Sequence, residues 1–349
     1  MRVKLALIGC GSIAQLVHLP ALKRIEEAEL VAICDIYEEV AKGVAKKFAI
    51  EKYYTDYVEM LEKEDLDAII NTTWHAAHAE TTIEAAKHGK HVFVEKPMAV
   101  TIEECKRMIE ACRRNDVKLM IGFMKRFDPA LKWIREEVRN GSLGELFLIN
   151  SWYYDSLIHM DYVRAFTEQF IRPKEPPASS PYTPTGERHL DLLLAHGVHH
   201  ADLLRWIGGE IRRVRSCFKE RGQDYVSTTI IEYENGATGY FQQAGIIRRD
   251  WDEGLIIHGT KGSAEVKIRF PYFKWRSEAR IYLAGRKEYV SKLHPFRDMY
   301  LAELRHFVHC ILKDEEPVPN GYDGLMAQKI IYAISKSASE ERPISISGI

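Results

Sequence analysis

The segment Val3 to Ala14, VKLALIGCGSIA, limits the possible folds more than any other part of the chain. An apolar run leads directly into Gly9-Cys10-Gly11-Ser12-Ile13-Ala14, and a helical pattern at Leu16, Leu19, Leu22 and Ile25 follows. A glycine-x-glycine turn between a buried strand and a helix is a phosphate-binding turn. Gly9 permits the tight turn, Gly11 lets a pyrophosphate approach the backbone, and Ala14 keeps helix and sheet close. The free N–H groups around Ser12 and Ile13 then face the phosphates. Asp35 ends a second apolar run, Leu30 to Cys34. There a carboxylate accepts hydrogen bonds from the adenosine ribose and repels a 2′-phosphate. With Ile36 and Tyr37 beside it and no adjacent arginine, the pattern favours NAD over NADP. Capping of the following helix is also compatible with the position of Asp35.

Strand and helix patterns go on alternating: a helix near Val40 to Phe48, a strand at Ala68 to Asn71, a helix near Ala76 to His88, a strand at His91 to Val94, a helix near Ile102 to Arg114 and a strand at Lys118 to Gly122. This rhythm predicts an α/β fold, a Rossmann-type doubly wound parallel sheet over residues 1–122. At 349 residues the chain is long enough for a second domain. Residues 123–349 predict an α+β substrate-binding and dimerisation domain: a helix near Pro129 to Arg139, a strand at Glu145 to Tyr154, and a helix near Leu190 to Ile207. Strands at Ile211 to Phe218, Val226 to Tyr233, Ala237 to Gln243, Leu255 to His258 and Ala264 to Ile268 follow, then helices near Asp298 to Leu312 and Asp323 to Ser339. Tight turns such as Asn235-Gly236 make that sheet mostly antiparallel. The Pro-, Ser- and aromatic-rich stretch from Asp155 to Arg188 reads as a functional loop or cover.

Charge narrows the function. With 49 basic and 50 acidic side chains the net charge is -1, which argues against a nucleic-acid partner. No apolar run is long enough for a membrane span, and the N-terminus lacks a signal-peptide pattern, so a cytoplasmic protein with no membrane partner is expected. Six scattered cysteines in no C-x-x-C spacing read as reduced core residues. His196, His199 and His200 have the spacing of metal ligands on a helix. No carboxylate or cysteine completes a ligand pattern, and no metal is expected.

Glu95-Lys96-Pro97 follows the buried run His91 to Val94. A lysine at the carboxyl end of a parallel strand points to the ligand crevice, where its ammonium can stabilise alkoxide character during hydride transfer. Together with Ala86-Lys87-His88-Gly89-Lys90-His91-Val92, Thr72-Thr73-Trp74-His75, Gly122-Phe123-Met124-Lys125-Arg126-Phe127-Asp128-Pro129 and His199-His200-Ala201-Asp202-Leu203-Leu204-Arg205-Trp206, this segment resembles the glucose-fructose oxidoreductase, inositol dehydrogenase and rhizopine-catabolism (Gfo/Idh/MocA) family over nearly the whole chain.

The resemblance implies an NAD-dependent dehydrogenase of a sugar, inositol or related polyol, a homodimer or homotetramer through a large open C-terminal sheet. Lys96 would be the catalytic lysine, His199 the proton-transfer residue and Arg126 a substrate contact. Thr72, Thr73, His78 and Glu95 would lie near the nicotinamide and its ribose. Imidazole near neutrality suits the proton transfer. One departure stands out. Many family members carry Asp-x-Gly-x-His, whereas this chain has Ala195-His196-Gly197-Val198-His199. Asp191, one helical turn earlier, is a candidate replacement, as are Glu187 and a substrate group. His196 is a further substrate contact. The aromatic residues Trp152, Tyr153, Tyr154, Tyr162 and Phe166 divide between stacking on a sugar ring and core or lid packing, with Tyr154 a candidate substrate contact. An NAD-using glycosidase and a non-catalytic dinucleotide-dependent regulator are the alternatives.

Overall fold

Val3–Ile8 forms β1, whose Leu5, Ala6 and Leu7 are fully buried, as expected of a strand covered on both faces. The computed structural model describes residues 2–156, 161, 163–166, 168–175, 184–273 and 275–349; Tyr162 lies outside them. β2 (Ala28–Cys34), β3 (Lys52–Tyr54), β4 (Ala68–Asn71), β5 (His91–Glu95) and β6 (Leu119–Gly122) join β1 in a six-stranded sheet of order β3-β2-β1-β4-β5-β6. Every pairing is parallel. The order reverses between β1 and β4, the switch point outside which such sheets bind ligands.

The first crossover is shorter and wider than an α-helix. Ala14–His18 winds as a π-helical turn, and only Leu19–Leu22 (α1) is α-helical. The remaining crossovers are α2 (Glu38–Phe48), α3 (Tyr57–Lys63), α4 (His78–Lys87) and α5 (Ile102–Arg114). Local chemistry sets the start of α5: Thr101 Oγ1 accepts the Glu104 N–H, and the Glu104 carboxylate accepts the Thr101 N–H.

Contacts divide the chain into two units that are not contiguous in sequence. The first holds Met1–Met124, Ala165–Gly186 and Tyr300–Leu325; the second holds Lys125–Arg164, Glu187–Met299 and Met326–Ile349. The sequence reading places the domain boundary at 122/123 and the two later segments of this first unit in the second domain. One of them covers the edge of β6, where the Ile121 N–H donates to Pro319 O at 3.1 Å.

The second unit is built on a nine-stranded sheet of order β14-β13-β12-β11-β7-β10-β9-β8-β15. Its strands are β7 (Leu146–Ser156), β8 (Ile211–Arg221), β9 (Asp224–Tyr233), β10 (Thr238–Ile247), β11 (Asp252–Gly259), β12 (Gly262–Ile268), β13 (Glu278–Leu283), β14 (Glu288–Ser291) and β15 (Ile344–Ser345). All pairings are antiparallel except β7 with β10. Ile149, Val214, Ile231, Phe241, Leu255, Ile257 and Val266 are buried on the inner face. α6 (Pro129–Arg139) starts at Asp128, whose Oδ1 accepts the N–H groups of Ala130 and Leu131. The helix expected over Leu190 to Ile207 is three pieces: α7 (Arg188–Leu192), a second π-helical turn at Leu193–Gly197, and α8 (Val198–Gly208).

Candidate active site

In the first unit the expected cofactor residues gather at the carboxyl ends of β1, β2, β4 and β5. Gly9 has φ +94°, and an added Cβ would lie 2.6 Å from Thr72 O, so only glycine fits. Thr72 Oγ1 donates to Gly9 O at 2.6 Å and ties the end of β4 to the turn. Gly11 and Ser12 are exposed, and an added Cβ on Gly11 meets nothing within 4 Å. The space over the turn is thus open to a phosphate, while Ala14 is buried and Ile13 half-buried. Asp35 accepts the Cys10 N–H on Oδ2 at 2.8 Å and the Tyr37 N–H on Oδ1 at 3.0 Å. Burial pushes its carboxyl above the ordinary carboxylate range despite those bonds. Each oxygen can accept a further bond, so the carboxylate fits a ribose while it also shapes the turn. These residues fit a dinucleotide.

The nicotinamide-side residues have additional structural tasks. His78, fully buried, links two loops through Nδ1 to Pro97 O (2.8 Å) and Nε2 to Thr73 O (3.0 Å), and burial lowers its pKa. Thr73 Oγ1 donates to Asn71 Oδ1 at 2.7 Å. Glu95 is buried, with Oε1 2.7 Å from His18 Nε2, and Oε2 accepts the Lys96 N–H at 3.0 Å. Burial alone would push the Glu95 carboxyl up, but His18 and Lys96 hold it below its usual value. Among the described residues, ligand atoms of His18, Glu95 and Glu303 form one buried group within 4.8 Å of one another; its His18–Glu95 contact is a hydrogen bond. Half-buried Lys96 sits at the end of β5, and burial lowers its pKa even though Glu95 opposes the shift.

In the second unit, His199 is the second residue of α8 and is 7% exposed, while Asp191 is the last but one of α7 and is 3% exposed. The π-helical turn between them holds more residues per turn than an α-helix. Positions 191, 195 and 199, four apart, therefore drift less around the axis than they would in a continuous α-helix, and all three are buried. His196 stacks on Tyr153 at 5.3 Å, with Nδ1 3.0 Å from Tyr153 Oη.

Two expected substrate contacts are placed elsewhere. Successive side chains of β7 point to opposite faces, so Tyr153 reaches His196 while Tyr154 lies on the other face and donates to Gln242 Oε1. Arg126 is 4% exposed, and its guanidinium fork grips Asp202, with Nε 2.8 Å from Oδ2. A planar fork taken up by a buried carboxylate ties the short turn before α6 to α8 within this unit.

Sequence reading missed a neighbouring network. Lys125 pairs with Glu253, whose Oε1 also lies 2.7 Å from His200 Nε2; His200 Nδ1 meets Ser151 Oγ. All four are buried, and burial followed by the Lys125 charge drives His200 well below the usual histidine pKa. His200 therefore locks the first turn of α8, where His199 sits. An acid inside the apolar strand DEGLIIHG was the only signal in the sequence.

Residues 3–123 match the oxidoreductase family's NAD-binding Rossmann fold, and residues 186–346 match its C-terminal alpha/beta domain. The chain belongs to this GFO/IDH/MocA family of NAD-binding oxidoreductases. It is 28% identical over 363 aligned residues to myo-inositol 2-dehydrogenase of Thermotoga maritima, covering 99% of this chain and 98% of that protein. D-apiose dehydrogenase of Paraburkholderia graminis is 27% identical, with 100% of this chain and 91% of that protein covered. Levoglucosan dehydrogenase in complex with NADH shares the fold, with a TM-score of 0.82 over 100% of both chains at 21% identity.

Proposed function

We propose that this protein is an NAD-dependent dehydrogenase of a secondary hydroxyl on a sugar, inositol or related polyol. The observation that carries the reading is Lys96: a half-buried ammonium with a lowered pKa, on the same sheet edge as the glycine turn. Relatives named for myo-inositol and D-apiose support a polyol as substrate. NAD, when bound, supplies the hydride acceptor. Lys96 Nζ donates to the reacting oxygen and favours its alkoxide character, and His199 takes the hydroxyl proton. Asp191 orients His199 in place of the carboxylate absent at Ala195, and His196 with Tyr153 offers the substrate a polar and aromatic contact. Thr72, Thr73 and His78 hold the loops that receive the nicotinamide end.

The test is an absorbance screen for NADH formation with sugars, inositols and sugar acids. NAD binding with no turnover on the whole panel would favour a regulatory binding protein. Product without net NADH, from enzyme that keeps its cofactor through purification, would favour the glycosidase. We assign the outer face of the large sheet, with Ile230 at 53% and Tyr240 at 38% exposure, to a second copy of the chain in the cytoplasm. Sedimentation as a monomer at micromolar concentration would overturn that assignment.

A further inference from the structure

Residues 169–174 come from the Pro-rich stretch whose sequence suggests only a loop or cover, yet they lie against the dinucleotide turn. One side chain holds the backbone of Ile171 at both polar atoms. Gln15 Oε1 accepts the Ile171 N–H at 3.0 Å, and Gln15 Nε2 donates to Ile171 O and to Cys10 O, both at 2.9 Å. Gln15 is 4% exposed and directly follows Ala14 in the π-helical turn. Cys10 in turn donates its N–H to Asp35. The Ile171 side chain presses on α2 at Gly43, where an added Cβ would lie 3.0 Å from Cγ2 and 3.1 Å from Cδ1. Two outer ties flank this seat. Lys47 Nζ donates to Gln169 O at 3.2 Å and lies 5.6 Å from the Phe170 ring centre, and the Lys174 N–H donates to Glu39 Oε1 at 3.3 Å.

These contacts join the three pieces whose spacing a bound adenosine and pyrophosphate must find: the glycine turn, the Asp35 end of β2, and α2. We propose that residues 169–174 are a strap that braces the glycine turn against α2 and presets the adenosine end of the NAD site. The proposal rests on the family's NAD binding. A turn with glycines at positions 9 and 11 has wide backbone freedom, and any ordering deferred to the binding step subtracts from affinity. A glutamine at position 15 suits the brace because its amide offers one acceptor and two donors, matching the N–H and C=O of Ile171 and the carbonyl of Cys10. Gly43 leaves room for the strap in the groove beside α2.

The experiment titrates NAD and ADP-ribose calorimetrically into the full chain and into variants on each side of the contact, Ile171→Asp on the strap and Gly43→Leu on the helix. Neither residue is among those assigned to the cofactor or the chemistry. Both variants are expected to raise Kd by about tenfold, by the same factor for the two ligands, because the effect lies at the adenosine end. Circular dichroism and the thermal midpoint check folding, and Ile171→Ala replaces a variant that does not fold. Wild-type Kd, within twofold, in folded variants from both sides would overturn the strap. So would a loss confined to NAD with ADP-ribose unaffected. A wild-type chain that binds neither ligand would instead overturn the cofactor reading beneath it.

Discussion

Under the proposed function Lys96 and His199 act on the substrate, and each can be removed without touching the adenosine end of the cofactor. Lys96→Ala and His199→Ala are expected to lower turnover by about 100-fold or more while NAD affinity, followed by fluorescence titration, stays nearly unchanged. Asp191→Asn should cost less than either, and should shift the pH-rate profile only if Asp191 has taken over the orienting role of the carboxylate missing at Ala195. A wild-type profile in that variant would leave Ala195 uncompensated by Asp191. Asp35 accepts the Cys10 N–H and, under the proposed function, the ribose hydroxyls as well. Asp35→Ala should therefore weaken NAD binding and narrow the preference over NADP in side-by-side titrations. Lys96, His199 and Asp35 were legible as candidates because a motif or a strand end marks each of them. Glu253 was not, because its partner Lys125 lies 128 residues away and no local pattern reports such a distance.

At the scale of elements, the parallel sheet was readable because runs such as Val3–Ile8 and His91–Glu95 are apolar on both faces and separated by helical periods. β13 and β14 escaped notice: EARIYL and EYVS are short, interleaved with charge, and lie toward one side of the sheet. Neither π-helical turn was visible either. Each inserts its extra residue into an otherwise ordinary helical pattern, one at the glycine turn and one before His199, and such insertions recur at functional sites. Capping is more directly encoded. Thr101→Ala should destabilise the protein by about 1 kcal/mol in denaturant unfolding, since the N–H of Glu104 loses its acceptor at the start of α5.

Across the whole molecule, burial keeps several imidazoles neutral. His78, His91 and His200 are all lowered by it, and His189, stacked 4.3 Å from Phe218, is pushed down to about 4. An unfolded histidine titrates near about 6.5. Below that value the unfolded chain binds protons that the native chain refuses, so their contribution to stability is full above about pH 6.5 and is lost as pH falls toward 4. Calorimetry should show the thermal midpoint falling over this interval, with a shallower slope in His189→Gln; a rising midpoint would contradict the assignment. The bond from the Ile121 N–H to Pro319 O sets a timetable. During synthesis β6 emerges about 200 residues ahead of the segment that covers it, a wait of roughly 10 to 40 s at ribosomal speed. Throughout that wait a bare strand edge can recruit neighbouring nascent chains. A fragment ending at Met124 is therefore expected in the pellet when expressed alone, under conditions where the full chain stays in the supernatant.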